Sequence, residues 1–124
     1  MSSGRFHIVK EFGFEAAHSF GHKPAGHENT RIHGHSFKVE VALSGEPAPD
    51  TGCVVDFELV SRAIDDVRAK LDHHFLNDVP GLGTPSLENL ARWIAGELGP
   101  RFRELASVTV RRPTLGESCR YDVP

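Results

Sequence analysis

The alternation of apolar and polar residues predicts two long strands in the first third of the chain. Side chains two positions apart on a strand point to the same face. In residues 6–18 one face is apolar, formed by Ile8, Phe12, Phe14 and Ala16. Residues 33–44 alternate more cleanly, with Phe37, Val39, Val41 and Leu43 on one face. Each pattern is typical of a strand with one buried side.

Histidines lie at the end of the apolar face on both predicted strands. His18 ends the first, and His33 and His35 begin the second. If the strands pair as an antiparallel hairpin across the loop 19–32, the three imidazoles converge.

Two helices are predicted in the middle of the chain. Asp56 is a good N-cap for a helix through about Leu71, with an apolar stripe of Val60, Ala63, Ile64, Val67 and Leu71. The second helix has Thr84 and Pro85 at its start and ends at Gly99. Its stripe is Leu87, Leu90, Ala91, Ile94 and Leu98.

A third strand over 107–112 and a short fourth strand near 120–123 complete the order ββααββ. This order predicts one α+β domain over residues 1–124, with an antiparallel sheet and both helices on one face. Length supports one domain with a real core and no second one.

Composition and net charge limit the kinds of partner that the protein is expected to bind. The net charge of −3 argues against nucleic acid or an anionic membrane as the main partner. No apolar run reaches transmembrane length, and the first residues lack the apolar segment of a signal peptide. We therefore expect a cytoplasmic protein. The two cysteines, Cys53 and Cys119, form neither a CxxC pair nor a disulfide framework.

The clearest candidate for a functional site is the trio of His18, His33 and His35. Taken singly, a histidine on an apolar face is usually a hydrogen-bonded core residue. Three together offer three nitrogens with one position left open, as in catalytic zinc sites. Neutral imidazole also suits iron, copper and nickel, so spacing alone leaves the metal open.

Two further clusters each have a chemical and a structural interpretation. Asp72 and His73 together have the groups needed for a proton relay. In the structural interpretation, the histidine is simply favoured by the dipole at a helix C-terminus. Glu88 is a favourable first-turn carboxylate, or a contact for a ligand with N–H donors.

The motifs, in this order, resemble the 6-pyruvoyltetrahydropterin synthase and 6-carboxytetrahydropterin synthase family. They are FEAAH (14–18), RIHGHSF (31–37), GCVVDF (52–57), LDHHFLN (71–77), PSLEN (85–89), ARWI (91–94) and a final strand pair ending in Tyr121. The resemblance implies the tunnelling fold, in which trimers close a barrel and pair into a hexamer with active sites between subunits. It would also explain how open sheet edges are covered.

The same resemblance implies roles for individual residues. His18, His33 and His35 match the family's zinc ligands, and the zinc there polarises the side-chain oxygens of dihydroneopterin triphosphate as a Lewis acid. Asp72 and His73 match two members of a proton-relay triad, supplied by a neighbouring subunit. Glu88 matches a carboxylate that meets the pterin ring.

The chain departs from the family pattern at two positions. The third triad member is a cysteine four residues before HGH, and that position holds Asn29, whose amide cannot titrate. Glu28 is adjacent to this position and offers an alternative base, although on a strand its side chain would point the other way. The glutamate that anchors the pterin in the third strand falls on Arg112, and Glu117 takes its role if the register shifts.

Three hypotheses remain at this stage. The first is a zinc-dependent enzyme on a pterin-like substrate, using a substituted base or running a related lyase or aldol-type reaction. The second is a hexamer that binds a pterin- or purine-like ligand without turnover. The third is a structural paralogue that assembles with true synthase subunits.

Overall fold

A computed structural model of the chain describes residues 4–124. Its helices and strands follow the order ββααββ: β1 Phe6–His18, β2 His33–Gly45, α1 Phe57–Leu71, α2 Leu87–Leu98, β3 Leu105–Arg112 and β4 Glu117–Asp122. The predicted order is confirmed.

The strands form one antiparallel sheet in the order β1-β2-β3-β4. β1 and β2 pair without interruption from Phe6 opposite Gly45 to His18 opposite His33. The even positions of β1 and the odd positions of β2 therefore share one face, as the alternation predicts. That face is buried, and Val39, Val41 and Leu43 are at most 1% exposed.

Both helices pack on this buried face through their apolar stripes. The Asp56 carboxylate accepts the Glu58 N–H at 2.9 Å and caps α1 as predicted. α2 begins two residues later than expected, because the Ser86 hydroxyl accepts the Asn89 N–H at 3.1 Å and makes Ser86 the N-cap. A serine N-cap of this kind stabilises a helix by roughly 1 kcal/mol.

β4 begins at Glu117, three residues before the predicted start. A 3-10 turn over Pro113–Leu115 leads to Gly116, whose φ of 67° lies in the left-handed region that glycine adopts freely. This tight return places Glu117 directly opposite Arg112. β4 therefore includes polar residues at its start, which join the sheet by pairing with β3 and show no apolar pattern in the sequence.

β1 and β4 are the edge strands of the sheet. The C-terminal part of the β1 edge is covered by the segment after α1, where the Ala17 N–H donates to the His74 carbonyl at 3.1 Å. Within residues 4–124, no helix is long and apolar enough to cross a bilayer.

Candidate active site

Polar residues end the buried face of the sheet on all four strands, at the same end of the sheet. They are His18 on β1, His33 and His35 on β2, Arg112 on β3 and Glu117 on β4. Each lies on the same face as the apolar residues of its strand, because side chains two positions apart point the same way. His18 and Arg112 end their strands, whereas His33, His35 and Glu117 lie at the start of theirs. The buried core therefore ends in a polar row at one end of the strands.

The three histidines converge as the strand pattern predicts. One ring nitrogen from each of His18, His33 and His35 lies within 4.8 Å of the other two. The Nε2 atoms of His18 and His33 are 3.0 Å apart. Two nitrogens bound to one tetrahedral zinc at 2.0–2.1 Å would lie ~3.3 Å apart. His18 and His33 are already near this spacing, and side-chain rotation must close the wider separations within the 4.8 Å cluster for the trio to hold the ion.

Hydrogen bonding and burial favour the ligand form of these rings. His33 Nδ1 lies 2.9 Å from the Arg31 carbonyl. That contact suits an Nδ1–H donor and leaves Nε2 for a metal. His18 is fully buried. Its Nδ1 makes no hydrogen bond of good geometry, although the Pro85 backbone lies close enough to raise the pKa of the ring against the effect of burial. Such an arrangement of neutral imidazoles fits a divalent transition metal.

The environment keeps two of the histidines uncharged at neutral pH. Burial is the largest cause that lowers the pKa of His18 from 6.5 to about 4, and the charges of His35, His33 and Arg112 lower it further. Burial also lowers the pKa of His35. Since a metal binds only the neutral ring, neither His18 nor His35 has to lose a proton before it can bind one.

The lowered pKa of His18 predicts that the metal-free protein loses stability in mild acid. Between pH 6.5 and about 4 the unfolded chain binds a proton at this residue that the folded chain does not. The free energy of unfolding is therefore expected to fall by about 2 kcal/mol between pH 7 and pH 5. Urea unfolding at the two pH values measures it.

The His18→Gln variant is the control for this pH dependence, because glutamine does not titrate. Its free energy of unfolding is expected to change by about 2 kcal/mol less than that of the wild type over the same interval. Equal pH dependence in the two proteins would contradict the assignment to His18.

A cavity of about 490 Å³ opens beside the histidines. His33 and His35 line it together with Glu28, Asn29, Ser86, Glu88, Arg112 and Glu117. The structure therefore brings both predicted substrate-binding carboxylates, Glu88 and Glu117, to one cavity with two of the predicted metal ligands. Whether they bind substrate stays a prediction.

The loop 19–32 contributes more to this cavity than the sequence indicated. His22 lines the wall, as does Lys23, although neither residue lies on a predicted strand or helix. Both are isolated residues without a periodic pattern, so their position follows from the path of the loop alone.

The expectation that Glu28 lies on a strand and points away is wrong. Glu28 begins a 3-10 turn, Glu28–Thr30, and lines the cavity. The ring of His27 caps this turn, with Nδ1 accepting the Asn29 N–H at 3.0 Å. The Asn29 carbonyl accepts the Phe20 N–H at 2.7 Å. These backbone contacts bring residues 28 and 29 to the same cavity.

Asp72 and His73 form the predicted pair but lie at a different place in the chain's fold from Glu88 and Glu117. The Asp72 carboxylate accepts the Glu15 N–H at 2.9 Å and lies 2.8 Å from His73 Nδ1. The Glu15 N–H is the largest cause that holds the pKa of Asp72 below its usual value, followed by the contact with His73. Asp72 is thus charged at neutral pH and orients the imidazole.

The backbone of His73 is unusual. Its φ is 59°, and within residues 4–124 it is the one residue other than glycine that has a positive φ. Its N–H donates to the Glu15 carbonyl at 2.6 Å. Such conformations are held by their surroundings and cluster at functional sites. His73 lines a second cavity, which residues 15–17 of β1 and 34–36 of β2 also line, and His35 lines both cavities.

Neither cysteine replaces the missing thiol. Cys53 is exposed in the turn before α1. Cys119 is half-buried on β4, where burial and the nearby charge of Glu88 raise its pKa and keep it a thiol. Its reactivity is therefore low.

The sequence of residues 7–123 matches the family model described as 6-pyruvoyl tetrahydropterin synthase. The chain belongs to this family. The resemblance seen in its motifs is thereby confirmed.

Relatives in the family carry more than one activity. The chain is 41% identical over 98 residues to 6-carboxy-5,6,7,8-tetrahydropterin synthase of Synechocystis, covering 73% of each protein. It is 32% identical over 116 residues to dihydroneopterin monophosphate aldolase of Pyrococcus furiosus, covering 94% of this chain and 93% of that protein.

Solved structures of family members share the fold. The Caenorhabditis elegans 6-pyruvoyl tetrahydropterin synthase superposes with a TM-score of 0.84 at 22% identity, covering 98% of this chain and 97% of that one. A Plasmodium vivax 6-pyruvoyltetrahydropterin synthase, solved as a variant with cysteine in place of a catalytic glutamate, gives a TM-score of 0.71 at 19% identity over 98% of this chain and 100% of that one. The predicted tunnelling fold is confirmed.

Proposed function

We propose that this protein is a zinc-dependent lyase that acts on the side chain of a pterin-like compound, with Glu28 as its base. The observation that carries the proposal is one cavity that joins two members of the histidine trio to Glu28, Glu88 and Glu117. A scaffold without ligand or chemistry has no use for that combination.

His18, His33 and His35 would hold the zinc. When bound, the ion supplies a Lewis acid that polarises hydroxyl or carbonyl oxygens of the substrate side chain. The residues of the chain hold the three imidazoles in place: β1 and β2 fix their spacing, and the Arg31 carbonyl orients His33. Burial keeps His18 neutral, as a ligand must be.

Glu28 would remove the proton that the family's cysteine removes. Asn29, at the position of that cysteine, has no titratable group, whereas the Glu28 carboxylate lines the same cavity one residue earlier. The Plasmodium vivax enzyme, in which a catalytic glutamate was exchanged for cysteine, supports a carboxylate in this role on this fold. A base placed within reach of a side-chain hydroxyl would start either a lyase or an aldol-type cleavage.

Glu88 and Glu117 would hold the ring. Both are exposed carboxylates at the cavity wall, Glu88 in the first turn of α2 and Glu117 at the start of β4. Each offers acceptors to ring N–H and amino groups. Held by its ring, the substrate would extend its side chain toward the histidines and Glu28.

Asp72 and His73 would act from a neighbouring subunit. Within one subunit they line a different cavity from Glu88 and Glu117, so a relay in the same reaction requires assembly. The exposed edges of β1 and β4 and the exposed Phe6 and Val9 support a homo-oligomer, for which we propose the hexamer in the cytoplasm.

A second candidate is a hexamer that binds a pterin- or purine-like ligand without turnover. Asn29 favours it, since the family's thiol is absent. The ion pair between Arg112 and Glu117, 3.0 Å from Nε to Oε1, also favours it, because it alters the edge that holds the ring. Binding would then survive while chemistry is lost.

Incubation of zinc-loaded protein with dihydroneopterin triphosphate and dihydroneopterin monophosphate tests the proposal. We expect a new pterin product with a shortened or rearranged side chain from at least one of them, detected by chromatography and mass spectrometry. Tight binding of both compounds without product would favour the second candidate. Neither binding nor product would contradict both.

The Asn29→Cys variant tests the vacant thiol position. Its backbone N–H and carbonyl, which contact His27 and Phe20, are unchanged by the substitution, so the loop is expected to keep its shape. Turnover of dihydroneopterin triphosphate is expected to rise at least ~10-fold above wild type, because a positioned base contributes 10²–10⁴-fold.

The matched control is Asn29→Ser, which has the size of cysteine without a thiolate and is expected to behave like the wild type. Equal turnover in Asn29→Cys and Asn29→Ser would show that a thiol at residue 29 does not reach the substrate.

A further inference from the structure

Arg112 and Glu117 form a cross-strand pair at the end of the buried face. They lie directly opposite each other in the β3/β4 register, and such opposed residues project to the same side of a sheet. The side chain of Arg112 is 15% exposed and that of Glu117 is 50% exposed. Arg112 therefore lies deeper, with Glu117 beside it nearer the solvent.

The pair leaves donors and an acceptor available side by side. Arg112 Nε lies 3.0 Å from Glu117 Oε1. Among residues 4–124, Glu117 is the carboxylate that the Arg112 guanidinium contacts. A guanidinium has five N–H donors and a carboxylate has two oxygens. Despite the short distance to Oε1, Arg112 Nε is buried and makes no hydrogen bond, so the guanidinium keeps unused donors beside the Glu117 carboxylate at the cavity that both residues line.

This arrangement complements a particular heterocycle edge. A ring carbonyl next to a ring N–H and an amino group, as in 4-oxo-2-amino pteridines, presents an acceptor followed by donors. An arginine beside a carboxylate presents donors followed by an acceptor. A ring that carries an amino group in place of the carbonyl would turn a donor toward the guanidinium, and donor against donor is repulsive.

We propose that Arg112 is a specificity-determining residue that donates a hydrogen bond to the ring carbonyl of the ligand, while Glu117 accepts from its amino and N–H groups. The inference rests on the proposed function and deepens it. It makes the ligand a 4-oxo heterocycle and excludes 4-amino analogues.

Two probes that differ at one ring position test the inference: 6-hydroxymethylpterin and its 2,4-diamino analogue. Dissociation constants at neutral pH are measured by quenching of ligand fluorescence on the zinc-loaded protein. Wild type is expected to bind the 4-oxo probe at least ~10-fold more tightly, the value of a hydrogen bond to a charged group.

Arg112→Met is expected to remove this preference. It loses affinity for the 4-oxo probe by ~10-fold or more and keeps or gains affinity for the diamino probe. Arg112→Lys, which keeps one charge and a donor, is expected to retain part of the preference. Glu117→Gln is expected to weaken both probes, and the 4-oxo probe more, because only that probe presents a ring N–H beside its 2-amino group. Arg112→Lys carries the test if Arg112→Met does not fold, since a preference equal to that of wild type in this variant would also contradict the inference.

Arg111→Met is the matched control. Arg111 lies on the opposite face of β3, where it pairs with Glu40 at 3.0 Å and Glu11 at 3.5 Å, and its loss is expected to leave the preference unchanged. A preference retained in Arg112→Met, or equal binding of both probes by wild type, would overturn the inference and leave the proposed function standing. Failure of wild type to bind either probe would overturn both.

Discussion

Glutamine in place of Glu28 is expected to lower turnover of the zinc-loaded protein by ~10²–10⁴-fold, the effect of removing a general base. The amide has nearly the shape of the carboxylate but accepts no proton. Glu28 is exposed in its 3-10 turn, so the substitution leaves the fold and the histidine trio in place. Steady-state rates with the pterin phosphate that wild type turns over measure the effect.

Glu58→Gln is the control for the loss of one carboxylate. Glu58 is exposed in the first turn of α1 and pairs with Arg62 at 2.6 Å, and exposed pairs contribute little to stability. Its turnover is expected to equal that of wild type. If Glu28→Gln retained turnover within ~3-fold of wild type, a loss far below the range for a general base, Glu28 would not be the base.

Alanine in place of His33 is expected to abolish both zinc binding and turnover. The variant removes one of three nitrogens that lie within 4.8 Å of each other, and two protein ligands do not hold a catalytic zinc. Because His33 is only half-buried, the fold is expected to survive. Metal analysis after dialysis against a weak chelator measures the loss.

His7→Ala is the matched control, since His7 is an exposed histidine on the same sheet, toward the start of β1. It is expected to keep full zinc content and full turnover. Zinc retained by His33→Ala at the wild-type level would place the metal elsewhere.

The sheet and the helices were predictable because their apolar residues recur at the spacing that places them on one face of a strand or a helix. β1 and β2 each bury one face, and the two-residue period marks it from Phe12 to His18 in β1 and from Phe37 to Leu43 in β2. α1 carries its own cap at Asp56. The start of β4 was not predictable, since Glu117 and Ser118 are exposed and join the sheet only through pairing with β3.

The site was predictable where it lies on strands and unpredictable where it lies in loops. Period and pairing bring His18, His33 and His35 together. Glu28 reaches the cavity through a turn capped by His27, a contact for which the sequence carries no periodic signal. The Arg112–Glu117 pair likewise depends on the length of one turn, so the sequence left open which of the two faces the ligand.

The dependence of turnover on bound zinc tests the central claim most directly. Chelator-treated protein is reloaded with increasing amounts of zinc, and turnover of the pterin phosphate is measured against the metal content of each sample. We predict that turnover rises in proportion to zinc and saturates at one ion per subunit. Full turnover in the metal-free protein would contradict a function that depends on the histidine trio.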